Sequence, residues 1–225
     1  MIALESVSFG YDDVRTLRDL TVRIAPGSFH FLTGPSGAGK TTFLRLLYLE
    51  HRPHEGRMTL FNEDPAELDR AEITRLRRRI GIVFQDFRLL DHMTVLENIA
   101  LALRVRGERA EDHAGDIEEL VRWVGLADRV EARPPELSAG EKQRAAIARA
   151  VINAPDVILA DEPTGNIDPE MGARILRLLV ELNGLGKTVL VATHDIGLIR
   201  SAKSMVAARI LRLSEGTLAQ GASEL

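Results

Sequence analysis

Residues 137–168 read LSAGEKQRAAIARAVINAPDVILADEPTGNID, and this stretch decides the fold of the chain. It opens with a polar helix start and continues into an apolar run, Val157–Ala160, that is typical of a buried strand. Two adjacent carboxylates, Asp161 and Glu162, follow that run. In open parallel sheets, ligands bind outside the carboxyl ends of the strands. The stretch therefore predicts an α/β core with a binding crevice beside this strand.

A glycine-rich loop lies upstream and reads GPSGAGKTT, after the apolar run Ser28–Thr33. A helical pattern follows over Thr41–Arg52 and is stopped by Pro53. Its members are Gly34, Pro35, Ser36, Gly37, Ala38, Gly39, Lys40, Thr41 and Thr42. The spacing fits G-x-x-x-x-G-K-[ST], in which backbone N–H groups and the positive end of the next helix surround a phosphate. Lys40 is predicted to reach the β- and γ-phosphates, and the Thr41 hydroxyl is predicted to ligate Mg²⁺.

The ends of the apolar runs carry further polar candidates. Asp161 suits a contact to Mg²⁺, and Glu162 suits positioning or deprotonating an attacking water. The same pair could instead cap the next turn, with help from Pro163. Gln85 and His194 each follow another apolar run. A single Gln or His at such a position is more often an ordinary loop residue. These two are candidates for the site because they occur in a fixed order with the other motifs.

The helix that starts at Ser138 has two compatible interpretations. Ser138 and Glu141 have the spacing of a capping box. A capped helix start with Gly140 close to the surface is also an anion site. Because the chain already has a phosphate site in the glycine-rich loop, a second one would be redundant within one copy. We therefore expect this helix end to face a phosphate bound by another copy.

Strand and helix patterns alternate at both ends of the 225-residue chain, whereas its middle is mostly helical. This pattern predicts one domain over residues 1–225. Its α/β core would comprise about 1–86 and 151–225, including a small N-terminal β part. A helical subdomain would occupy about 87–150.

Bulk composition excludes several classes of protein. The formal charge of −4, from 33 acidic and 29 basic residues, argues against a general nucleic-acid binder. The absence of cysteine excludes disulfides and thiolate metal sites. The N-terminus lacks a signal pattern, and no apolar run approaches the roughly 18 residues that span a bilayer. We expect a soluble chain whose contact with a membrane depends on another protein.

Six motifs in order, GPSGAGKTT, FQ, LSAGEKQR, ILADEP, GNID and THD, resemble those of the ATP-binding subunits of ABC transporters across nearly the whole chain. The resemblance implies a P-loop NTPase fold with an N-terminal antiparallel β part and an inserted helical subdomain. It also implies Mg²⁺-dependent ATP hydrolysis by a head-to-tail homodimer that encloses two ATP molecules. Each site would join the Gly34–Thr42 loop of one copy to Ser138–Gly140 of the other.

The resemblance also implies roles for single residues. Tyr11 would stack on adenine, and Gln85 would sense Mg²⁺ and the membrane partner. Asp168 would report across the dimer interface, and His194 would contact the γ-phosphate. The chain departs from the family pattern LSGGQ, because Ala139 replaces the first of the paired glycines and Glu141 replaces the glutamine. The Ala139 methyl reduces the room beside the phosphate of the other copy.

Within the family, residues 80–105 are most similar to the FtsE group of cell-division ATPases, chiefly through DFRLL directly after the glutamine. That resemblance implies a partner similar to the integral membrane protein FtsX. It places the chain peripherally on the cytoplasmic face of the cell membrane, where ATP cycling would activate cell-wall hydrolases. The alternative is the ATPase of a lipoprotein, lipid or macrolide exporter, because these share GNxD. Soluble ABC ATPases of DNA repair or translation typically carry two cassettes or a long coiled-coil insertion, and this chain has neither.

Two further features of the sequence each have two possible interpretations. Arg75, Arg77, Arg78 and Arg79 form a basic run that is either a solvated face near a helix C-terminus or a contact for anionic headgroups. The apolar residues Phe87, Leu89, Leu90, Met93, Val95 and Leu96 either belong to the core of the helical part or line a groove for a partner's helix.

Overall fold

The computed structural model of the chain describes residues 1–12, 14–165 and 167–219, and the backbone of residues 223–224. The strands are β1 (Ile2–Tyr11), β2 (Val14–Ile24), β3 (Phe29–Thr33), β4 (Glu55–Leu60), β5 (Ile80–Val83), β6 (Val157–Asp161), β7 (Thr188–Ala192), β8 (Ala208–Ser214), β9 (Thr217–Leu218) and β10 (Ser223–Glu224). The helices are α1 (Lys40–Leu47), α2 (Arg70–Arg77), α3 (Val95–Arg106), α4 (Ala114–Trp123), α5 (Ala139–Val151), α6 (Pro169–Gly184) and α7 (Ile196–Ala202).

The main sheet has the order β10-β8-β3-β7-β6-β5, with β9 beside β8. Five neighbouring strands of this sheet run parallel to one another: β8, β3, β7, β6 and β5. Strands β6 and β7 are buried along their whole length, which explains why they read as unbroken apolar runs. The predicted α/β core is confirmed.

A second sheet, β2-β1-β4, is antiparallel and contains the N-terminus. Its inward side chains pack with those of α1 and with one face of the main sheet, in a cluster that includes Leu4, Leu20, Phe43 and Leu190. The predicted antiparallel β part is therefore present. Helix α1 is shorter than the pattern up to Arg52 suggested, because it ends at Leu47 and the chain turns sharply at Leu49, where φ is 64°.

Helices α3, α4 and α5 lie between β5 and β6 in the chain. The capping box of Thr94 and Glu97 is present at the start of α3. One apolar cluster runs from these helices to the sheet and joins Ile99 and Ile147 to Phe31. The helical part and the sheet therefore share a core, and the proposed limits of the subdomain at 87 and 150 stay a prediction.

The basic run lies at the end of α2 and has acidic or carbonyl partners. Arg75 pairs with Glu63, and Arg79 pairs with Asp156 at 2.7 Å. Arg77 donates to the backbone oxygen of Leu49 at 2.7 Å.

Within the described parts of the chain, no helix has both the length and the apolarity to cross a bilayer.

Candidate nucleotide site

Four parallel strands end at one edge of the main sheet, and each is followed by a predicted site residue. The glycine-rich loop follows β3, Gln85 lies just after β5, Asp161 ends β6 with Glu162 directly after it, and His194 follows β7. They surround a cleft of about 620 Å³. The cleft is lined by Thr16, Pro35, Ser36, Gly37, Gly39, Lys40, Thr41, Thr42, Gln85, Asp161, Glu162 and His194. The structure therefore brings the predicted phosphate, metal and water-positioning residues together.

The glycines of the loop are needed for its backbone path. Gly39 has a φ of 101° directly before α1, a conformation that glycine adopts without strain. A β-carbon on Gly34 would lie 2.1 Å from the carbonyl oxygen of Leu213, so no other residue fits there. Ala38, within the loop, is buried. The loop therefore wraps closely around the N-terminus of α1, whose free N–H groups point at the cleft.

Lys40 is a buried cation at the centre of the loop, and 8% of it is exposed. Its Nζ donates to the carbonyl oxygens of Gly34 at 2.9 Å and Pro35 at 3.2 Å. The same Nζ lies 3.6 Å from Oε1 of Glu162. Buried charges in proteins are paired, and here the lysine and the carboxylate stabilise each other across the cleft.

Glu162 has a strained backbone with a φ of 44°, which is uncommon for a residue other than glycine. Its N–H donates to the carbonyl oxygen of Ala192 at 2.8 Å, one residue beyond the end of β6. Its Oε1 lies 2.9 Å from Nδ1 of His194, and its Oε2 accepts from the His194 N–H at 3.4 Å. Strained backbones of this kind cluster at functional sites, because the surrounding structure must hold them.

Asp161 offers a ligand position for a divalent cation. Its carboxylate is buried beside Thr41 in the cleft, and its Oδ1 has no hydrogen-bond partner. Burial raises the pKa of Asp161, with the Glu162 charge acting in the same direction, whereas the Thr41 hydrogen bond and Lys40 act against the rise. A buried carboxylate oxygen without a partner is costly unless a cation or a donor satisfies it.

These residues fit Mg²⁺, which prefers oxygen ligands and keeps few protein contacts when it is bound to a phosphate. Asp161, the Thr41 hydroxyl and the Gln85 side chain all line the same cleft. Among the residues that the structure describes, no group of three or more His, Cys, Asp or Glu side chains is arranged to hold a metal.

The Ser138 helix start lies outside this cleft. The predicted capping box is present, because the Ser138 oxygen accepts from the Glu141 N–H at 3.3 Å and the Ser138 N–H donates to Glu141 at 2.8 Å. The hydrogen bonds from Ser138 lower the pKa of Glu141 below its ordinary value, and the nearby charge of Arg129 lowers it further. Partial burial of the carboxylate opposes this shift without cancelling it. Ser138 itself is exposed. The helix end therefore has a free polar surface that its own phosphate loop does not use.

The expectation that Gly140 lies close to the surface is wrong. Gly140 is buried, and a β-carbon there would lie 2.6 Å from Cγ of Met171. Asp168 caps α6 by accepting from the Met171 N–H at 3.0 Å, so the starts of α5 and α6 meet at Met171. The glycine is needed for this close packing, and only the exposed Ser138 and the half-buried Ala139 face outward.

Tyr11 lies at the end of β1 and does not line the cleft. It is 38% exposed, and its ring packs edge-on against Phe9 at 5.1 Å. Its hydroxyl lies 3.1 Å from Nε2 of His51 and accepts from Arg45 at 3.4 Å. Stacking of Tyr11 on adenine stays a prediction.

Sequence reasoning missed Thr16, Arg45 and His51. Thr16 lines the cleft from β2, and the other two hold the Tyr11 hydroxyl. None of them belongs to a motif, and Thr16 follows only the general alternation of a strand. Arg45 had a weak signal, because it lies one helical turn beyond Thr41 on α1.

Comparison with known proteins agrees with this geometry. The chain matches the ABC transporter family over residues 17–165. It is 45% identical to the cell division ATP-binding protein FtsE of Escherichia coli (strain K12) over 222 residues, which cover 98% of each chain. It is 39% identical to the protein of the same name in Bacillus subtilis (strain 168) over 224 residues, which cover 99% of this chain and 96% of the relative.

Solved structures show the same fold. A dimeric post-hydrolysis state of the ATP-binding cassette MJ0796, bound to ADP and Pi, has a TM-score of 0.88 and 35% identity. The alignment covers 100% of this chain and 99% of that one. A second dimeric structure of MJ0796, described as a bacterial ABC transporter cassette, has a TM-score of 0.88 and 36% identity. The predicted P-loop ABC ATPase fold and ATP hydrolase activity are thereby confirmed. The chain belongs to the ATP-binding subunits of the ABC transporter family, in the group of the FtsE proteins.

Proposed function

We propose that the chain hydrolyses Mg²⁺-ATP as a homodimer and thereby drives an integral membrane partner similar to FtsX in cell division. The observation that carries the enzymatic part is the convergence of Lys40, Asp161 and Glu162 in one cleft at the ends of parallel strands. The cell-division part is supported by relatives named FtsE that are 39–45% identical over nearly the whole chain.

In this proposal, the loop amides and Lys40 hold the β- and γ-phosphates. Lys40 Nζ already points into the loop, where its contacts to two carbonyl oxygens fix its position. Thr41, Gln85 and Asp161 would hold Mg²⁺, which neutralises the charge of the phosphates when it is bound. Because Lys40 is buried, its charge acts in a site with a low dielectric constant and needs no reorganisation.

Glu162 is the group best placed to orient the attacking water. Its side chain is 10% exposed and faces Lys40 across the cleft. The strained backbone and the two contacts from His194 restrict the directions in which the carboxylate can point. A carboxylate held in this way accepts a hydrogen from water and aligns it with the phosphorus. His194, which follows β7, would contact the γ-phosphate.

The second copy would complete each site. Ser138 and Ala139 present the start of α5 outward, away from the cleft of their own chain. The N–H groups of that helix start would bind the γ-phosphate held by the partner copy. Asp168 would lie at the same interface, because it caps the neighbouring helix α6. The two dimeric MJ0796 structures support this arrangement, since their fold matches this chain over its whole length.

Replacement of Glu162 by Gln tests the water-positioning role. The change preserves size and burial but removes the negative charge, so we expect ATP binding to persist and kcat to fall by about 100-fold or more. The variant should also accumulate as an ATP-bound dimer in size-exclusion chromatography. Glu170→Gln is the matched control, because Glu170 is an exposed residue on α6 paired with Arg174. Hydrolysis by Glu162→Gln at the rate of the wild type would remove Glu162 from this role.

Mixing experiments test whether the site is shared between copies. Lys40→Ala and Ser138→Arg should each be inactive alone. Their mixture should recover about a quarter of wild-type activity, if dimers form at random and each site works independently. As a control, a chain carrying both changes, mixed with wild type, offers no intact site in the mixed dimer. No recovery in the first mixture, with mixed dimers demonstrated by mass, would contradict a shared site.

The cellular role is tested by the membrane partner. The chain, expressed with an FtsX-like membrane protein, should co-purify with it, and cells depleted of the chain should divide late and form chains or filaments. ATP-dependent release of a lipid or lipoprotein from vesicles that contain the purified complex would instead establish the exporter role. Normal division after depletion would also contradict the proposal.

A further inference from the structure

The chain makes an unusual turn directly after Gln85. Phe87 and Arg88 have φ angles of 60° and 49°, so two consecutive residues, neither of them glycine, lie in the left-handed region. Side chains with a β-carbon are strained in this conformation. Such a turn persists only where the surrounding structure holds it.

Arg149 holds the turn at its centre. Its guanidinium donates to the carbonyl oxygen of Phe87 at 2.6 Å and, through its other terminal nitrogen, to that of Arg88. Burial lowers the pKa of Arg149, so these two carbonyl contacts matter for the stability of its charge. The planar, rigid fork of an arginine can bind two adjacent oxygens at once, which a lysine cannot do.

Two further contacts fix the chain on either side of the turn. The guanidinium of Arg88 lies 3.9 Å from the centre of the Phe84 ring, before Gln85. Asn98, fully buried on α3, accepts from the Leu90 N–H at 2.8 Å and donates to the Leu90 carbonyl oxygen at 3.1 Å. The turn, with both of its flanks fixed, is joined to α5 by Arg149.

Arg149 belongs to α5, the helix that begins beside Ser138. Arg149 lies eleven positions after Ser138, which at the usual rise per residue is a distance of about 16 Å. The intervening side chains Ala145, Ala146, Ile147 and Ala148 are fully buried, so this part of the helix moves as one body. The helix start that faces away from the cleft is thus joined, through Arg149, to the turn that carries Gln85 into the cleft.

We propose that Arg149 is a positioning residue for Gln85, through which α5 sets the place of Gln85 in the nucleotide cleft. The proposal rests on the proposed function in one respect, namely that Gln85 takes part in hydrolysis. Arg149 itself touches neither the loop nor the carboxylates that line the cleft. Its effect on catalysis should therefore be indirect and should disappear when the Gln85 side chain is absent.

The test compares kcat and KM for ATP in Arg149→Met, Gln85→Ala and the double variant. A displaced catalytic group costs about 10- to 100-fold in rate. We expect each single variant to lose kcat by about tenfold or more, with KM changed by less than about threefold, and the double variant to be no slower than Gln85→Ala. Multiplication of the two losses in the double variant would overturn the proposal.

Arg77→Met is the matched control. Arg77 also donates to the carbonyl oxygen of a left-handed residue, Leu49, whose φ is 64°. That contact holds the turn after α1 and not the turn after Gln85, so the control should keep kcat within about twofold of wild type. A loss in Arg77→Met equal to that in Arg149→Met would show a general effect on stability and contradict a specific role.

Glycine in the turn offers a rescue of activity that does not depend on Arg149. Because glycine adopts a positive φ without strain, Phe87→Gly, which keeps the contact of Arg88 with Phe84, should restore part of the kcat of Arg149→Met by letting the turn form without Arg149. Arg149→Lys serves if Arg149→Met does not fold. It should lower kcat and raise hydrogen exchange at residues 85–90. Wild-type kcat and exchange in a folded Arg149 variant would overturn the proposal, whereas wild-type kcat in Gln85→Ala would instead remove the role assigned to Gln85.

Discussion

The parallel pairing of β3, β7, β6 and β5 is the constraint on which the rest of the structure depends. Its register places Leu32 opposite Ala192, Asp161 opposite Ala192, and Val83 opposite Ala160, so the four strands end in one row. The bond from the Glu162 N–H to Ala192 extends this ladder by one residue. That extension turns Glu162 toward His194 and Lys40. A strand displaced by one residue would reverse its side chains and separate the carboxylates from the loop.

The second property of the site is its burial of opposite charges. Lys40 and Asp161 are each 8% exposed, and the Glu162 side chain is 10% exposed. Removing one member of a buried ion pair lowers the free energy of unfolding by about 3–5 kcal/mol, because the other charge is left buried without a partner. The same arrangement prepares the cleft for a phosphate and a cation, since ATP would bring both the negative charge and the metal that these groups need. Stability and catalysis therefore depend on the same few side chains.

The sequence predicted the elements that lie next to motifs. The unbroken apolar run before Asp161 identified a buried parallel strand, and the spacing of Ser138 and Glu141 identified a capping box, both of which the structure contains. The end of α1 was placed five residues too far, because Leu49 fits a helical spacing although its backbone is left-handed. Helical periodicity indicates which side chains are buried, but it does not reveal a change in the backbone angle φ such as the one at Leu49.

Other parts of the site could not be predicted, because they depend on contacts between distant segments. Gly140 looks like a glycine that opens a surface to an anion, yet its lack of a side chain is required by Met171, thirty-one positions later. Arg149 looks like an ordinary helix residue, and only the fold brings it to the carbonyl oxygens of Phe87 and Arg88, about sixty positions earlier. Contacts of this kind leave no periodic trace in a single sequence.

The affinity of the purified chain for ATP, measured by calorimetry with and without Mg²⁺, tests most directly whether the strand ends form one site. The account predicts that Mg²⁺ raises the affinity of the wild type by about tenfold or more, and that Asp161→Asn loses this gain while it binds metal-free ATP normally. An unchanged Mg²⁺ effect in Asp161→Asn would contradict the claim that β6 brings the cation ligand to the phosphate loop.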